Sequence, residues 1–221
     1  MCVDIGIKQA ARRRCPLYTD RVRLPLSGQE IVAFIVAVSF AAGLNVYATV
    51  ATLGLLAHAG VVDLPGSLDA LSNWWIISAS SALFGVEFFA DKIPGFDLIW
   101  NALHTFIRVP VAALLAYRAT STLTAPEHMA ATLAGALIAL AAHGGKTAAR
   151  ALITPSPEPL SNMGLSLGED VVSISLTWLA TRHPMLASTI AVLFVLIVIL
   201  LIRRVWRAIR TLFRRATQQY Q

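Results

Sequence analysis

IVAFIVAVSFAAGLNVYATVATLGLLA, running from Ile31 to Ala57, is 27 residues long and carries no charge. A helix rises about 1.5 Å per residue, and roughly 20 apolar residues cross the hydrocarbon layer of a bilayer. The stretch is therefore long enough to span a membrane. It is too long for the apolar region of a signal peptide, which is about 7–15 residues, and no clear cleavage site follows it. It reads as a retained anchor. Gly43 and Asn45 near its centre predict a kink or a break. Broken helices at mid-membrane are one way transporters present backbone groups to a substrate. A long tilted helix whose Asn45 bonds a neighbour accounts for the same residues.

The rest of the chain has the same character. Of its 221 residues, 57% are hydrophobic and 14% charged, and mean hydropathy is +0.68. Soluble domains carry roughly 25% charged residues. An ordinary soluble enzyme, a disordered chain and a disulfide scaffold are all excluded on these figures. The expected fold class is all-α, a polytopic transmembrane helical bundle.

Six segments are candidate spans: Ile31–Ala57, Trp74–Ala90, Phe96–Tyr117, about Met129–Ala151, Ser161–Ala180 and Met185–Ile202. The fourth and fifth are interrupted by charge, so four spans with a re-entrant hairpin over 129–180 compete with six. Short Pro-containing connections suit helical hairpins. Leu71-Ser72-Asn73 before the second span and Leu160-Ser161-Asn162 at the fifth allow two inverted three-helix repeats. Glu87 follows Asn73 and Glu169 follows Asn162 at different spacings, however, which does not favour that division.

Charge suggests orientation. Of 18 basic residues, 12 lie in two tails: Lys8, Arg12, Arg13, Arg14, Arg21 and Arg23 before the first apolar run, and Arg203, Arg204, Arg207, Arg210, Arg214 and Arg215 after the last. The positive-inside rule then places both tails in the cytoplasm. The expected domains are a basic tail over 1–30, a transmembrane domain over 31–202 and a basic amphipathic tail over 203–221. In the last, arginines on one face oppose Val205, Trp206, Ile209, Leu212 and Phe213 on the other. That pattern suits a helix lying on anionic headgroups. No aromatic-interleaved basic patch or reader motif points to nucleic acid. Cys2 and Cys15 lie in the N-terminal tail without metal-ligand spacing.

Ionisable residues inside apolar runs carry the functional signal, because a charge at mid-bilayer costs about 2.5–3.5 kcal/mol on insertion scales. Glu87 and Asp91 stand four apart, on one helix face. Two such carboxylates repel, and favour sharing a cation or a proton. Glu169 and Asp170 fall near the middle of the fifth span, among the small or polar Ser166, Gly168 and Ser173. Counter-charges are available in Arg108, beside His104, and in Lys146, which follows His143-Gly144-Gly145, two glycines expected to weaken or break the fourth span. Arg108 and Lys146 are expected to face the interior against Glu87, Asp91, Glu169 or Asp170. The histidines show no metal-binding or protease spacing, and no nucleophile elbow or phosphate loop is present. No enzyme activity and no cofactor is expected.

Several strings in order resemble a known family: Ala42-Gly-Leu-Asn-Val-Tyr47; Glu87 with Ala90-Asp-Lys-Ile-Pro-Gly95, Asp97, Trp100, His104-Thr105 and Arg108; Ala142-His-Gly-Gly-Lys146; and Thr154-Pro-Ser-Pro-Glu-Pro159 with Ser161-Asn162 and Glu169-Asp170. Together they are similar to the bacterial membrane proteins grouped as domain of unknown function 4126. The resemblance covers about residues 30–184, with the sixth span and both tails outside it, and implies membrane residence without a reaction. Glu87-Phe-Phe-Ala-Asp91-Lys92 also resembles the acidic motif of small cation/proton exchangers. It has one residue inserted, no hydroxyl after the lysine and no second copy, so metal ligation does not carry over.

The expected function is a small transporter or channel for an ion or small polar solute. Glu87, Asp91, Glu169 and Asp170 would respond to protons or cations, with Arg108, Lys146, His104, His143 and Asn45 as counter-charges or polar lining. A non-transporting structural or lipid-interacting membrane protein, whose buried ion pairs only fix helix packing, is the alternative.

Overall fold

The computed structural model describes residues 26–91, 96–153 and 159–218. Among them the chain forms seven α-helices and no strand: α1 (Gly28–Leu44), α2 (Val46–His58), α3 (Trp74–Ala90), α4 (Phe96–Ala119), α5 (Ala125–Ile153), α6 (Pro159–Arg182) and α7 (Pro184–Gln218), with one 3₁₀ turn at Leu68–Ser72. The all-α expectation is met. Cys2, Cys15, the N-terminal basic cluster, Lys92 and the connections over 92–95 and 154–158 lie outside the described residues.

Local chemistry sets the boundaries. Ser27 and Glu30 form a reciprocal capping box at the start of α1, satisfying N–H groups that have no partner within the helix. Asn73 caps α3 by accepting from Trp75 N. Thr124 donates to the Glu127 carboxylate in the first turn of α5 from its N–H and hydroxyl, at 3.1 and 2.7 Å. α6 and α7 open on Pro159 and Pro184, where the missing N–H costs nothing.

The stretch Ile31–Ala57 is not one helix. α1 ends at Leu44, Asn45 takes an extended conformation, and α2 begins at Val46. The Asn45 side chain accepts from Ala48 N at 2.9 Å, so a residue inside an apolar run acts as a helix cap. The chain then reverses. α1 runs alongside α5 and α7 in their direction: Ser39 abuts Gly135, Gly43 abuts Ala139, Leu44 O meets Lys146, and Phe40 stacks on Phe194. α2 runs back along α6, with Asn45 on Asp170 and Thr49 on Ser173, and finishes where His58 Nδ1 donates to Ser72 O at 3.0 Å. The start of α1 and the end of α2 thus share one end of the bundle with the start of α5. Gly28 and Gln29 border the same groove as Leu123, Glu127 and Met185. The start of α1 and the far end of α7 lie at opposite ends. This corrects the single first span.

Small residues bring the helices close. A Cβ on Gly43 would fall 2.5 Å from Ala139 O, and one on Gly145 would fall 2.5 Å from a Val198 methyl. α5 runs without interruption through Gly144-Gly145. Gly145 therefore admits α7 and does not break α5, contrary to the expectation. Gly66, in the left-handed region at φ 64°, turns the loop so that Ser67 N donates to Arg118 O at the end of α4.

Among the described residues, two helical stretches are long and apolar enough to cross a membrane, Ala125–Ala149 and Pro184–Arg204. α1, α2 and α3 are apolar but shorter; Asn45 divides the first stretch into helices of 17 and 13 residues. α7 continues from Ile202 into the basic segment as one helix of 35 residues, so the C-terminal arginines extend α7 and do not start a separate helix. Asn73 precedes α3, whereas residue 162 sits inside α6. The two Leu-Ser-Asn strings therefore occupy different structural positions and lend no support to an inverted repeat.

Candidate functional site: a buried charge cluster at the tip of a helical hairpin

The sequence places its ionisable interior residues on or beside four different helices, and the fold brings them to one level of the bundle. Glu87 lies in the last turn of α3 and Asp91 directly after it. Arg108 comes from α4, His143 and Lys146 from α5, Glu169 and Asp170 from α6. Asn45, at the tip of the α1–α2 hairpin, closes the group. All eight are buried, Glu87 and Arg108 to 0% exposure.

Arg108 forms a salt bridge with Glu87 through Nη2 and donates from Nη1 to His143 Nδ1 at 2.8 Å. Arginine has no acceptor, so Nδ1 must accept. His143 is then the neutral tautomer with its proton on Nε2, which donates to Thr105 Oγ1 at 2.7 Å. His104 is the opposite tautomer. Its Nδ1 donates to Trp100 O at 2.7 Å, and its Nε2 shares a 3.1 Å hydrogen bond with the Tyr47 hydroxyl.

Lys146 is the hub. Its ammonium lies 2.9 Å from Glu169 Oε2, 3.2 Å from Asp91 Oδ2 and 3.9 Å from Glu87 Oε1. It also donates to Leu44 O at 3.4 Å, the last carbonyl of α1, where the helix dipole is negative and favours a cation. Ser166 donates to Asp91 Oδ2 at 3.5 Å. At the neighbouring N-terminus of α2 the dipole is positive, and there the Asp170 carboxylate accepts from Asn45 Nδ2 at 2.8 Å. Each side of the Asn45 break therefore faces the charge that its dipole favours. Ser173 ties the hairpin to α6 with bonds to Ala41 O and Asn45 O at 3.0 and 3.1 Å.

The structure thus unites every residue singled out in the sequence, though His104 lies to the side, linked through Tyr47 and Trp100. Tyr47, Thr105 and Thr49 belong to the network but were not candidates. Trp100, His104 and Arg108 recur every four residues on one face of α4, a spacing from which this surface could have been read. Among the described residues the cluster holds four carboxylates against two basic side chains, Arg108 and Lys146, a surplus of two negative charges when all are ionised. Among the described residues no group of three His, Cys, Asp or Glu side chains is arranged to hold a metal ion.

Neither a curated protein nor a solved structure matches the chain. One family model, described as domain of unknown function (DUF4126), matches residues 32–204. The match begins one residue into the first apolar stretch and includes the last apolar helix, which the resemblance drawn from motifs had left outside. With most of its length matched, and all the clustered charges inside the match, the chain belongs to the domain of unknown function 4126 family.

Proposed function

We propose that this is a multi-pass inner-membrane protein that moves an ion or a small polar solute, using the buried carboxylates as proton- or cation-responsive groups. The observation that carries the reading is an inverted distribution of polarity. Glu87, Asp91, Arg108, Lys146, Glu169 and Asp170 are buried, while Trp75 is 83% and Phe106 81% exposed, along with leucines and valines of α3 to α7. A water-soluble protein buries the second set and exposes the first. A bilayer favours the reverse, because lipid solvates apolar side chains and ionisable ones must find partners inside.

In this reading α3 to α7 cross the bilayer in alternation. α1 and α2 enter from one face and return to it, replacing the first of six expected crossings with a re-entrant pair. The exposed Arg203, Arg204, Arg207 and Arg210 continue α7 toward anionic headgroups, with the Arg210 guanidinium 5.2 Å above the Trp206 ring. A surplus of buried negative charge is tolerable when a proton or cation accompanies it. Gain and loss of that companion, alternating with exposure to the two faces, is the elementary step of coupled transport.

The test is an ion- and proton-flux assay in proteoliposomes, wild type beside Glu169→Gln. Flux in the wild type, reduced at least tenfold in the variant, is the expected result. No flux of any tested ion from well-folded protein would favour the alternative, in which the ion pairs only fix helix packing.

A further inference from the structure

Three of the four clustered carboxylates have a cation beside them. Arg108 bridges Glu87, and Lys146 lies within 4.0 Å of Glu87, Asp91 and Glu169. Asp170 differs. Among the described residues no cation lies within that distance of it, and its Oδ1 is met by the neutral Asn45 amide. Its Oδ2 is buried with no hydrogen-bond partner, as is Glu87 Oε2, but Glu87 has Arg108 beside it and Asp170 has no such cation. A carboxylate taken out of water without a counter-charge escapes the cost by binding a proton.

The groups around it leave little alternative. Its own helix presents Glu169, α3 presents Glu87 and Asp91, and α5 presents Lys146, already shared among three carboxylates. The hairpin sets the Asn45 amide against it, while the Thr49 hydroxyl bonds Asn45 O and Ser173 instead. The apolar part of α7, Pro184 to Ile202, has no titratable side chain.

We infer that Asp170 is the proton-binding site of this cluster, and that the Asn45 tip of the α1–α2 hairpin is the positioning element that responds to its protonation. The inference rests on the membrane reading above and names the coupled ion as H⁺. With the proton on Oδ2, Asp170 is neutral and accepts an ordinary hydrogen bond from Asn45. When the O–H bond breaks and the proton leaves to water, the carboxylate strengthens that bond and competes for the Lys146 ammonium. Lys146 also holds Leu44 O, so both residues flanking the break feel the change. Loss of the proton pulls on Asn45 and loosens Leu44, and the hairpin tip shifts against α6.

Infrared difference spectroscopy of the full chain in phosphatidylethanolamine–phosphatidylglycerol vesicles, with pH stepped upward, reads this directly. The wild type should lose a protonated-carboxyl C=O band, and the band should be absent in Asp170→Asn but present in Glu169→Gln. A band retained in Asp170→Asn overturns the assignment. If that variant does not fold, Asn45→Ala decides. Removing a donor to the ionised form should raise the midpoint of the band's titration by about one to two pH units, and an unchanged midpoint overturns the role of Asn45. Failure of the two readings is separable. Loss of flux with the band still assigned to Asp170 defeats transport alone. Proton-coupled flux with the band on another residue defeats the Asp170 site alone.

Discussion

Arg108 and His143 are joined by a 2.8 Å hydrogen bond from Nη1 to Nδ1, and only one direction is chemically open to it. The guanidinium donates, so the imidazole is neutral and carries its proton on Nε2. Nitrogen NMR of histidine-labelled protein should show His143 as the Nε2–H tautomer at neutral pH and His104 as the Nδ1–H tautomer. An imidazolium signal from His143 in the folded protein would refute the arrangement. Thr105→Val removes the acceptor for Nε2–H and should weaken that preference.

Lys146 answers two carboxylates directly, Glu169 at 2.9 Å and Asp91 at 3.2 Å. Removing one member of a buried ion pair strands the other charge, at a cost of about 3–5 kcal/mol. Lys146→Met should therefore cause a large loss of thermal stability in detergent. Adding Glu169→Gln to it should restore part of what was lost, because one stranded charge disappears. Strict additivity of the two changes would mean that they are not coupled.

The chemistry of this site was more legible than its geometry. Glu87 and Arg108 had to find partners, because an unpaired charge in an apolar segment is costly, and the i to i+4 spacing placed Asp91 on the Glu87 face. The limits of α3 were readable to the residue, since Asn73 is a strong cap and Ala90 precedes a charged, Pro-containing connection. The hairpin was not readable. Gly43 and Asn45 marked a discontinuity, but an apolar run on either side of a break carries no sign of direction. A kinked span and a reversal give the same composition. The reversal is decided by tertiary partners, Ser173 and Asp170 on one side and Lys146 on the other, that are far away in the chain. Tyr47 and Thr105 escaped notice for the same reason. Each becomes a network member only when another helix brings a histidine within reach, α4 with His104 for Tyr47 and α5 with His143 for Thr105.

Gly144 and Gly145 separate two roles that look identical in the sequence. A Cβ on Gly144 meets nothing within 4 Å, whereas one on Gly145 falls 2.5 Å from Val198 Cγ2. Gly144→Ala should stabilise α5 by about 0.5–1 kcal/mol through backbone entropy. Gly145→Ala should destabilise by about 1–3 kcal/mol through overpacking against α7. Thermal unfolding of both variants in one detergent checks the opposite signs, and equal shifts would contradict the α5–α7 contact.

Glu30 provides a pH-dependent brace for α1. Bonds from the Ser27 N–H and hydroxyl hold its carboxyl below the ordinary carboxylate range. A depressed carboxyl stabilises the folded state above its unfolded pKa, and that contribution fades as pH falls through the folded value. Ser27→Ala should therefore be less stable than wild type at neutral pH, with the gap narrowing in acid. A gap independent of pH would leave only the hydroxyl cap of α1 and remove the charge from the account.

The reversal at Asn45 sets where the start of α1 and the end of α7 lie. α1 begins beside Leu123 and Met185, at the end of the bundle where α5 and α7 start, and α7 runs to the other end. If α3 to α7 each cross a bilayer, a reporter fused before Leu26 and one fused after Gln218 emerge on opposite faces. Single cysteines at Gly28 and Ala59 should both react with an impermeant thiol reagent from the face that reaches the N-terminal reporter. The hairpin tip, approached by Lys146 and Asp170, should stay protected from that side. Paired reporters that require folding in the cytoplasm or the periplasm read the arrangement without any assumption about orientation. Both termini on one side would restore an even number of crossings and require Ile31–Ala57 to traverse the membrane as a single kinked span. The bonds from Asn45 to Asp170 and from Lys146 to Leu44 O would then have to be rebuilt.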